Sequence, residues 1–284
     1  MLATMQELLA EAELNQNAVG AFTAPNLEIA AGIVRAAQES NTPVILMIAE
    51  GRMAHSPLHL IGPMLVEAAR CANVKICVHL DHGLTLDMVK RALSYGFTSV
   101  MFDGSRYDLE ENIRLTNEAA RLARACGASV EAELGTIGGR EATDQDESII
   151  CTDVEQIREF SQRVDVDAIA PAIGNAHGHY KGKPHLYFDR LQQIHEAVAQ
   201  PLVLHGGSGI SDEDFRKCIR LGMRKINIAT ANLDAMVQAS QRYLLEDGEH
   251  TFYGLNERIT EAVCASTLHC IDVFRHPDPE KHLS

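Results

Sequence analysis

Continuous apolar runs of five to seven residues recur along the whole chain, and longer stretches with helical periodicity separate them. Because the runs do not alternate with polar residues, they are typical of parallel strands that are covered on both faces. We predict eight strands, at residues 18–22, 43–49, 75–80, 98–102, 129–134, 168–173, 201–205 and 225–229.

The stretches between the runs carry signals for helix ends. Thr152, with Glu155 three residues later, is interpreted as a capping box, and Ser211 is interpreted as the N-cap of a later helix. The segment 259–274 predicts one more helix after the last strand. Eight strand–helix units predict an α/β fold, a (β/α)8 TIM barrel with an additional C-terminal helix, as a single domain over residues 1–284.

A doubly wound open sheet is the alternative architecture. It usually has fewer strands and a glycine-rich first turn, whereas the first predicted turn here reads FTAPN. The sequence therefore favours the closed barrel.

Charge and composition narrow the classes of partner. The net charge is −14, which excludes nucleic acid and anionic membrane as favoured partners because phosphate-rich surfaces need a basic face. No apolar run approaches the roughly 20 residues of a membrane span. The seven cysteines form no CxxC pair and the N-terminus has no basic leader, so we expect a cytoplasmic protein with reduced thiols.

Histidines stand at or just beyond the carboxyl ends of three predicted strands, where barrels place their reactive groups. They are His82, His177 and His205, each within two residues of a glycine. Three neutral imidazoles are a common ligand set for zinc and leave a coordination position open for substrate. Most of the other histidines lie in predicted helices or loops, where a surface role is expected.

The last two strand ends also indicate anion binding. The segment HGGSG, residues 205–209, offers backbone N–H groups beside the Ser208 hydroxyl, and NIAT leads into a helix N-terminus. Barrels often hold phosphate after strands seven and eight. The polar segment 135–148 is long for a strand–helix connection and is expected to act as a lid that carries Glu141.

Several segments, in order from about residue 2 to about residue 270, resemble the class II, metal-dependent ketose-bisphosphate aldolases. They are LDHG (80–83), VEAELGTIGGRE (130–141), AIGNAHGHY (172–180), LVLHGGSGI (202–210) and KINIAT (225–230). The closest resemblance is to the tagatose-bisphosphate aldolase branch, whose members also have alanine at the position of Ala229 in the last-strand motif. Three positions depart from the common pattern: Thr23 stands where asparagine is frequent, Ala49 where a small hydroxyl residue is usual, and Arg140 where another polar or an acidic residue is more usual.

The resemblance implies a zinc-dependent lyase that reversibly cleaves a ketose mono- or bisphosphate, of the tagatose 1,6-bisphosphate or fructose 1,6-bisphosphate type, to dihydroxyacetone phosphate and an aldehyde. It implies that Asp81 handles the proton of the C4 hydroxyl and that Glu141 exchanges the proton at the nucleophilic carbon. The implied metal ligands are His82, His177 and His205, with Glu133 close to the metal. The implied substrate-binding residues are Gly178, Gly206, Gly207, Ser208, Asn227, Ala229 and Thr230.

The resemblance also implies a monovalent cation, Na⁺ or K⁺, near the phosphate, a homodimer or homotetramer, and in some systems a related accessory subunit. Two alternatives stay open: a non-catalytic barrel subunit that supports a partner aldolase, and another metal-dependent barrel lyase or hydrolase. A Schiff-base mechanism is disfavoured because Lys75 and Lys225 begin predicted strands, at the face of the barrel opposite the reactive one.

Overall fold

The computed structural model describes residues 1–137, 151–180, 182 and 184–278. Within these residues eight parallel strands pair in chain order and close into a barrel, which confirms the predicted TIM barrel. The strands are β1 Val19–Thr23, β2 Val44–Ala49, β3 Ile76–Gly83, β4 Ser99–Phe102, β5 Ser129–Leu134, β6 Ala168–Pro171, β7 Leu202–Leu204 and β8 Met223–Ile228.

The first helix precedes β1, and the others lie around the outside of the barrel. They are α1 Met5–Asn15, α2 Leu27–Glu39, α3 Leu58–Cys71, α4 Leu86–Ser94, α5 Leu109–Ala125, α6 Val154–Arg163, α7 Phe188–Ala197, α8 Asp212–Arg220, α9 Thr230–Leu245 and α10 Phe252–Arg275. The predicted additional C-terminal helix is α10, which packs against α2 and α9. No helix in the described part of the chain is both long and apolar enough to cross a membrane.

Two helix caps test the local predictions. Ser211 caps α8 as predicted, since its hydroxyl accepts a hydrogen bond from the Asp214 N–H. The capping box at Thr152 was wrong: Asp153 caps α6 instead, and its carboxylate accepts from the N–H of Glu155. Thr152 is held by the barrel, where its hydroxyl donates to the Leu134 carbonyl and accepts from the Ala172 N–H.

The lower half of the barrel interior is apolar. Inward side chains of the strands, such as Ala21, Met47 and Val203, pack with Met5 and Leu9 of α1. This helix closes the end of the barrel at the strand N-termini, and it lies in a segment where the sequence predicts no element.

The upper half of the interior is polar. Buried there are His79, Asp81, Glu131, Lys225 and Asn227. The prediction that Lys225 begins its strand at the opposite face was wrong, because β8 starts two residues earlier, at Met223, and carries the lysine into the barrel. Buried polar side chains therefore extend from the middle of the strands, at Glu131 and Lys225, to their carboxyl ends, at Asp81.

Candidate active site

The end of β3 brings two consecutive side chains to the same place. Alternation along a strand would send Asp81 and His82 to opposite faces. His82 instead has a left-handed backbone with φ of 42°, and the pairing of β3 with β4 shifts register between Leu80 and Gly83. Such irregular backbone is common at functional sites, where it changes the direction in which a side chain points. Both residues thereby reach polar partners at the mouth of the barrel.

Gly83 allows this bend. A Cβ at residue 83 would lie 2.5 Å from the backbone oxygen of Met101, a distance that no side chain tolerates. The neighbouring N–H of His82 donates to the Met101 sulfur at 3.4 Å. Close approach of β4 to the bend therefore requires glycine after His82.

The three histidines predicted as ligands meet above the barrel. The centroid of the His82 ring lies 4.8 Å from that of His177 and 4.6 Å from that of His205. The centroids of the His177 and His205 rings are 5.7 Å apart. All three are buried, and one nitrogen atom from each lies within 4.8 Å of the others. The structure thus brings three distant parts of the chain to one centre.

Two carboxylates determine which ring nitrogens face that centre. Asp103 Oδ2 lies 2.8 Å from Nδ1 of His82, and Glu131 Oε1 lies 2.7 Å from Nε2 of His205. Because ionised carboxylates only accept, both rings donate outward. The remaining nitrogens, Nε2 of His82 and Nδ1 of His205, face each other at 2.9 Å.

The electrostatics of the cluster suit a cation. Burial and the neighbouring His82 lower the pKa of His177 to about 3, and burial lowers the pKa of His205 well below its usual range. Burial also opposes charge on His82, but Asp81, Asp103 and Glu133 outweigh it and raise its pKa well above the ordinary value. Burial is likewise overcome at Asp103, whose pKa is lowered by the hydrogen bond from His82. His177 and His205 are therefore neutral, whereas His82 carries a proton that a bound zinc would have to displace; neutral imidazoles are the ligands that zinc prefers.

Glu133 lies beside the histidine cluster rather than inside it. Its Oε2 is 3.8 Å from Nδ1 of His82, on the side of the ring that faces Asp103. His82, Asp103 and Glu133 form a second buried group whose ligand atoms lie within 4.8 Å of one another. Burial, together with the nearby Asp103 charge, raises the pKa of Glu133 well above its usual value.

Asp81 is oriented by β8. Its Oδ1 accepts a hydrogen bond from Nδ2 of Asn227 at 3.1 Å, and the carboxylate is almost wholly buried. Asn227 in turn accepts from Nζ of Lys225 at 2.7 Å. The predicted acid/base and the predicted metal ligands therefore share one polar network.

A pocket of about 290 Å³ lies at the start of α9 and is lined by residues that follow His177 and His205 along the chain. Two predicted substrate-binding residues, Ser208 and Thr230, line it; the Ser208 hydroxyl accepts from the Ala231 N–H at 3.0 Å. The remaining predicted substrate-binding residues lie outside its lining: Gly178, Gly206, Gly207, Asn227 and Ala229. Glu141 lies outside the described residues.

A buried side chain, Asn175, and a partly buried one, Tyr180, hold the loops that carry His177 and His205. Asn175 accepts from the Ile173 N–H and donates to the His205 carbonyl at 3.0 Å. The Tyr180 hydroxyl accepts from the Ala176 N–H and donates to the Gly206 carbonyl. The loops approach so closely that a Cβ at residue 206 would lie 2.2 Å from the Ala176 oxygen.

Sequence reasoning missed Asp103, Asn175 and Tyr180. Asp103 follows the predicted strand 98–102 directly, so the rule that selected Asp81 could have found it. Asn175 and Tyr180 bind backbone groups of the loops, and the only signal for them in the sequence is their position in the segment AIGNAHGHY. A larger cleft, of about 520 Å³, lies at the other end of the barrel between α1 and the end of α10, and no predicted site residue lines it.

The family of the chain follows from its match to known sequences. A family model described as "Fructose-bisphosphate aldolase class-II" matches residues 3–278. The chain belongs to this family. The protein is therefore a class II aldolase, a zinc-dependent lyase acting on a phosphorylated ketose with dihydroxyacetone phosphate as one product, which confirms the predicted activity.

Individual relatives agree with the family match. The chain is 39% identical over 251 residues to the fructose-bisphosphate aldolase of Geobacillus stearothermophilus, with 87% of each chain covered. It is 41% identical over 251 residues to that of Staphylococcus aureus, covering 87% of this chain and 88% of the relative. Among solved structures, the YdjI aldolase from Escherichia coli K12 shares 34% identity with a TM-score of 0.87, covering 96% of this chain and 97% of that one.

Proposed function

We propose that this aldolase binds its zinc through His82, His177 and His205 and uses Asp81 as the acid/base at the C4 hydroxyl of the ketose. The observation that carries the proposal is the convergence of three buried imidazoles, two of which have their donor sides taken by Asp103 and Glu131. Asp81 supports it as the adjacent residue, turned toward the same mouth. Glu133 lies 3.8 Å from His82 and is proposed as a carboxylate near the metal.

Cleavage needs a base and a place for negative charge. Asp81 takes the proton of the C4 hydroxyl, the C3–C4 bond breaks, and the electron pair stays on the dihydroxyacetone phosphate half as an enolate. Bound zinc supplies a Lewis acid that stabilises this charge. Glu141 is proposed to return a proton to the nucleophilic carbon. Burial of Asp81 and its hydrogen bond from Asn227 hold the carboxylate in one orientation.

The phosphate of dihydroxyacetone phosphate is proposed to bind at the start of α9. Ser208 and Thr230 line the pocket there, and the helix N-terminus favours an anion through its dipole. Gly178, Gly206 and Gly207 are proposed to bring backbone N–H groups to the same substrate end. Asn227 and Ala229 are proposed to contact the carbonyl end.

The identity of the ketose is a finer proposal. Ala229 in the last-strand motif supports tagatose 1,6-bisphosphate, whereas the names of the relatives favour fructose 1,6-bisphosphate as the second candidate. A monovalent cation near the phosphate, a homodimer or homotetramer, a related accessory subunit, a single domain over residues 1–284 and a cytoplasmic location also stay predictions.

A substrate screen with the purified protein tests these proposals. Ketose bisphosphates that differ in configuration at C4 are incubated with zinc or with a chelator, and release of dihydroxyacetone phosphate is followed. We expect cleavage that requires zinc and is faster for tagatose 1,6-bisphosphate. Faster cleavage of the fructose epimer would contradict the tagatose branch. Absence of cleavage for every ketose would favour the non-catalytic subunit, and undiminished turnover in chelator would contradict the zinc site.

A further inference from the structure

Lys225 is a fully buried cation inside the barrel. Its Nζ lies 2.8 Å from Oε2 of Glu131 and 2.7 Å from Oδ1 of Asn227. A buried ammonium is costly unless it is paired and hydrogen-bonded, and these contacts supply both. The contact to Glu131 joins β8 to β5, which are not neighbours in the sheet, so it crosses the barrel interior.

The first branch from Lys225 leads to a proposed metal ligand. The ammonium occupies one oxygen of Glu131, and the other oxygen lies 2.7 Å from Nε2 of His205. A carboxylate paired with a cation is an acceptor only, so it takes the N–H of His205 at Nε2. The lone pair at Nδ1 then faces Nε2 of His82, 2.9 Å away, at the centre of the histidine cluster.

The second branch leads to the proposed acid/base. An ammonium can only donate, so the end of the Asn227 amide that faces Lys225 must be the oxygen. The amide nitrogen is thereby turned toward Asp81, whose Oδ1 accepts from it at 3.1 Å. Without the lysine, only the Asp81 carboxylate holds the amide, so Asn227 and the carboxylate that it orients are less firmly fixed.

We propose that Lys225 is a positioning residue of the active site, which orients the metal ligand His205 through Glu131 and the acid/base Asp81 through Asn227. The proposal rests on the proposed function, because it takes the roles of His205 and Asp81 from there. It accounts for a lysine in the centre of a barrel whose lower half is filled by apolar side chains. A purely structural ion pair would affect stability alone.

The experiment compares two adjacent buried cations on β8. Lys225→Met removes the cation that faces the site. Arg224→Met removes one that faces away from it, where Arg224 is 2% exposed and pairs with Glu13 of α1 at 2.7 Å. Both variants lose a buried charge, so both are expected to unfold at lower temperature. Zinc affinity by chelator competition, the visible spectrum of the cobalt-substituted protein, and kcat and KM for cleavage are then measured.

We expect Lys225→Met to bind zinc roughly 10- to 100-fold more weakly, to change the cobalt spectrum, and to lower kcat by about tenfold or more, as loss of outer-sphere partners does in metal sites. Arg224→Met should keep the wild-type zinc affinity, spectrum and kcat below its melting temperature. Wild-type values of all three for Lys225→Met would overturn the proposal.

A double variant separates the two branches and covers poor folding of the single one. Lys225→Met/Glu131→Gln leaves no unpaired charge, and the glutamine oxygen still accepts from His205. We expect zinc affinity to return toward the wild-type value while kcat stays about tenfold low, because Asn227 is still not fixed. Wild-type kcat in the double variant would overturn the Asp81 branch. Failure of both lysine variants to fold, with Arg224→Met folded, would assign Lys225 a structural role and overturn the proposal.

The wild-type protein distinguishes failure of this proposal from failure of the proposed function. Wild-type protein without zinc-dependent cleavage would contradict the roles of Asp81 and His205 and would remove the basis of the Lys225 proposal with them. Zinc-dependent cleavage in the wild type together with an unaffected Lys225→Met would overturn the Lys225 proposal alone.

Discussion

Individual residues at the end of β3 show how local backbone geometry creates the site. Asp81 and His82 can face one centre because His82 takes a left-handed conformation, and Gly83 lets β4 approach that bend. The adjacency of a carboxylate and an imidazole before a glycine is visible in the sequence. The positive φ that makes the adjacency useful is a property of the folded strand pair.

Asp81→Ala should remove the proposed base and leave the metal ligands in place. We expect kcat for cleavage to fall by about 10²- to 10⁴-fold, the usual range for a positioned acid/base. Zinc content should stay at the wild-type level because Asp81 is not one of the three proposed zinc ligands. Steady-state kinetics and metal analysis measure the two effects, and full activity in this variant would refute the role of Asp81.

Gly83→Ala should disturb His82 through the backbone. The added Cβ would lie 2.5 Å from the Met101 carbonyl, so β3 and β4 must separate at a cost of roughly 1–3 kcal/mol in unfolding free energy. Zinc affinity should fall as well. Gly127→Ala is the control for zinc binding: it strains a backbone with a φ of 69°, but nothing lies within 4 Å of its added carbon. Denaturant unfolding and zinc titration give the comparison; equal zinc affinity in both variants would contradict the argument.

At the scale of elements, much of the barrel is readable from the sequence. Continuous apolar runs marked all eight strands, and their order gives the closed sheet. The errors come from strand ends: β8 starts at Met223 rather than Lys225, which moved the lysine from the rim to the interior. Hydrophobic patterns cannot place such an end, because Arg224 and Lys225 read as polar until their partners across the barrel are known.

Tyr180→Phe should loosen the two loops that carry His177 and His205. The hydroxyl accepts from the Ala176 N–H and donates to the Gly206 carbonyl, so its loss leaves two backbone groups unpaired, at about 1–3 kcal/mol of stability. KM should rise because Tyr180 also lines the pocket at α9. Tyr243→Phe is the matched control: its hydroxyl makes the same pair of bonds with Thr251, far from the site. Thermal melting and kinetics distinguish the two, and an unchanged KM for Tyr180→Phe would contradict the role in the pocket.

The two ends of the barrel differ in the polarity of the side chains that fill them. The lower end is closed by α1 and packed with apolar side chains, and the upper end gathers the polar network from six strands or the loops that follow them. A ligand held at the upper end therefore ties together β3 and the loops after β6 and β7.

Zinc should accordingly stabilise the entire fold. Binding to the native state alone adds about 2.7 kcal/mol of unfolding free energy when free zinc is at 100 times its Kd. Calorimetry of protein with zinc and after chelation should show a higher Tm with the metal. His177→Gln, which removes one proposed ligand, should lose most of that shift. A shift of full size in this variant would contradict the three-histidine site.

The ion pair between Lys225 and Glu131 also constrains any attempt to install a different chemistry on this scaffold. A design that replaced the histidines and kept the other interior residues would retain a buried ion pair that spans the barrel interior. Replacing either residue alone would leave the other as an unpaired buried charge, which destabilises the folded protein. New activities grafted onto this barrel would therefore require both residues to be replaced in a single step.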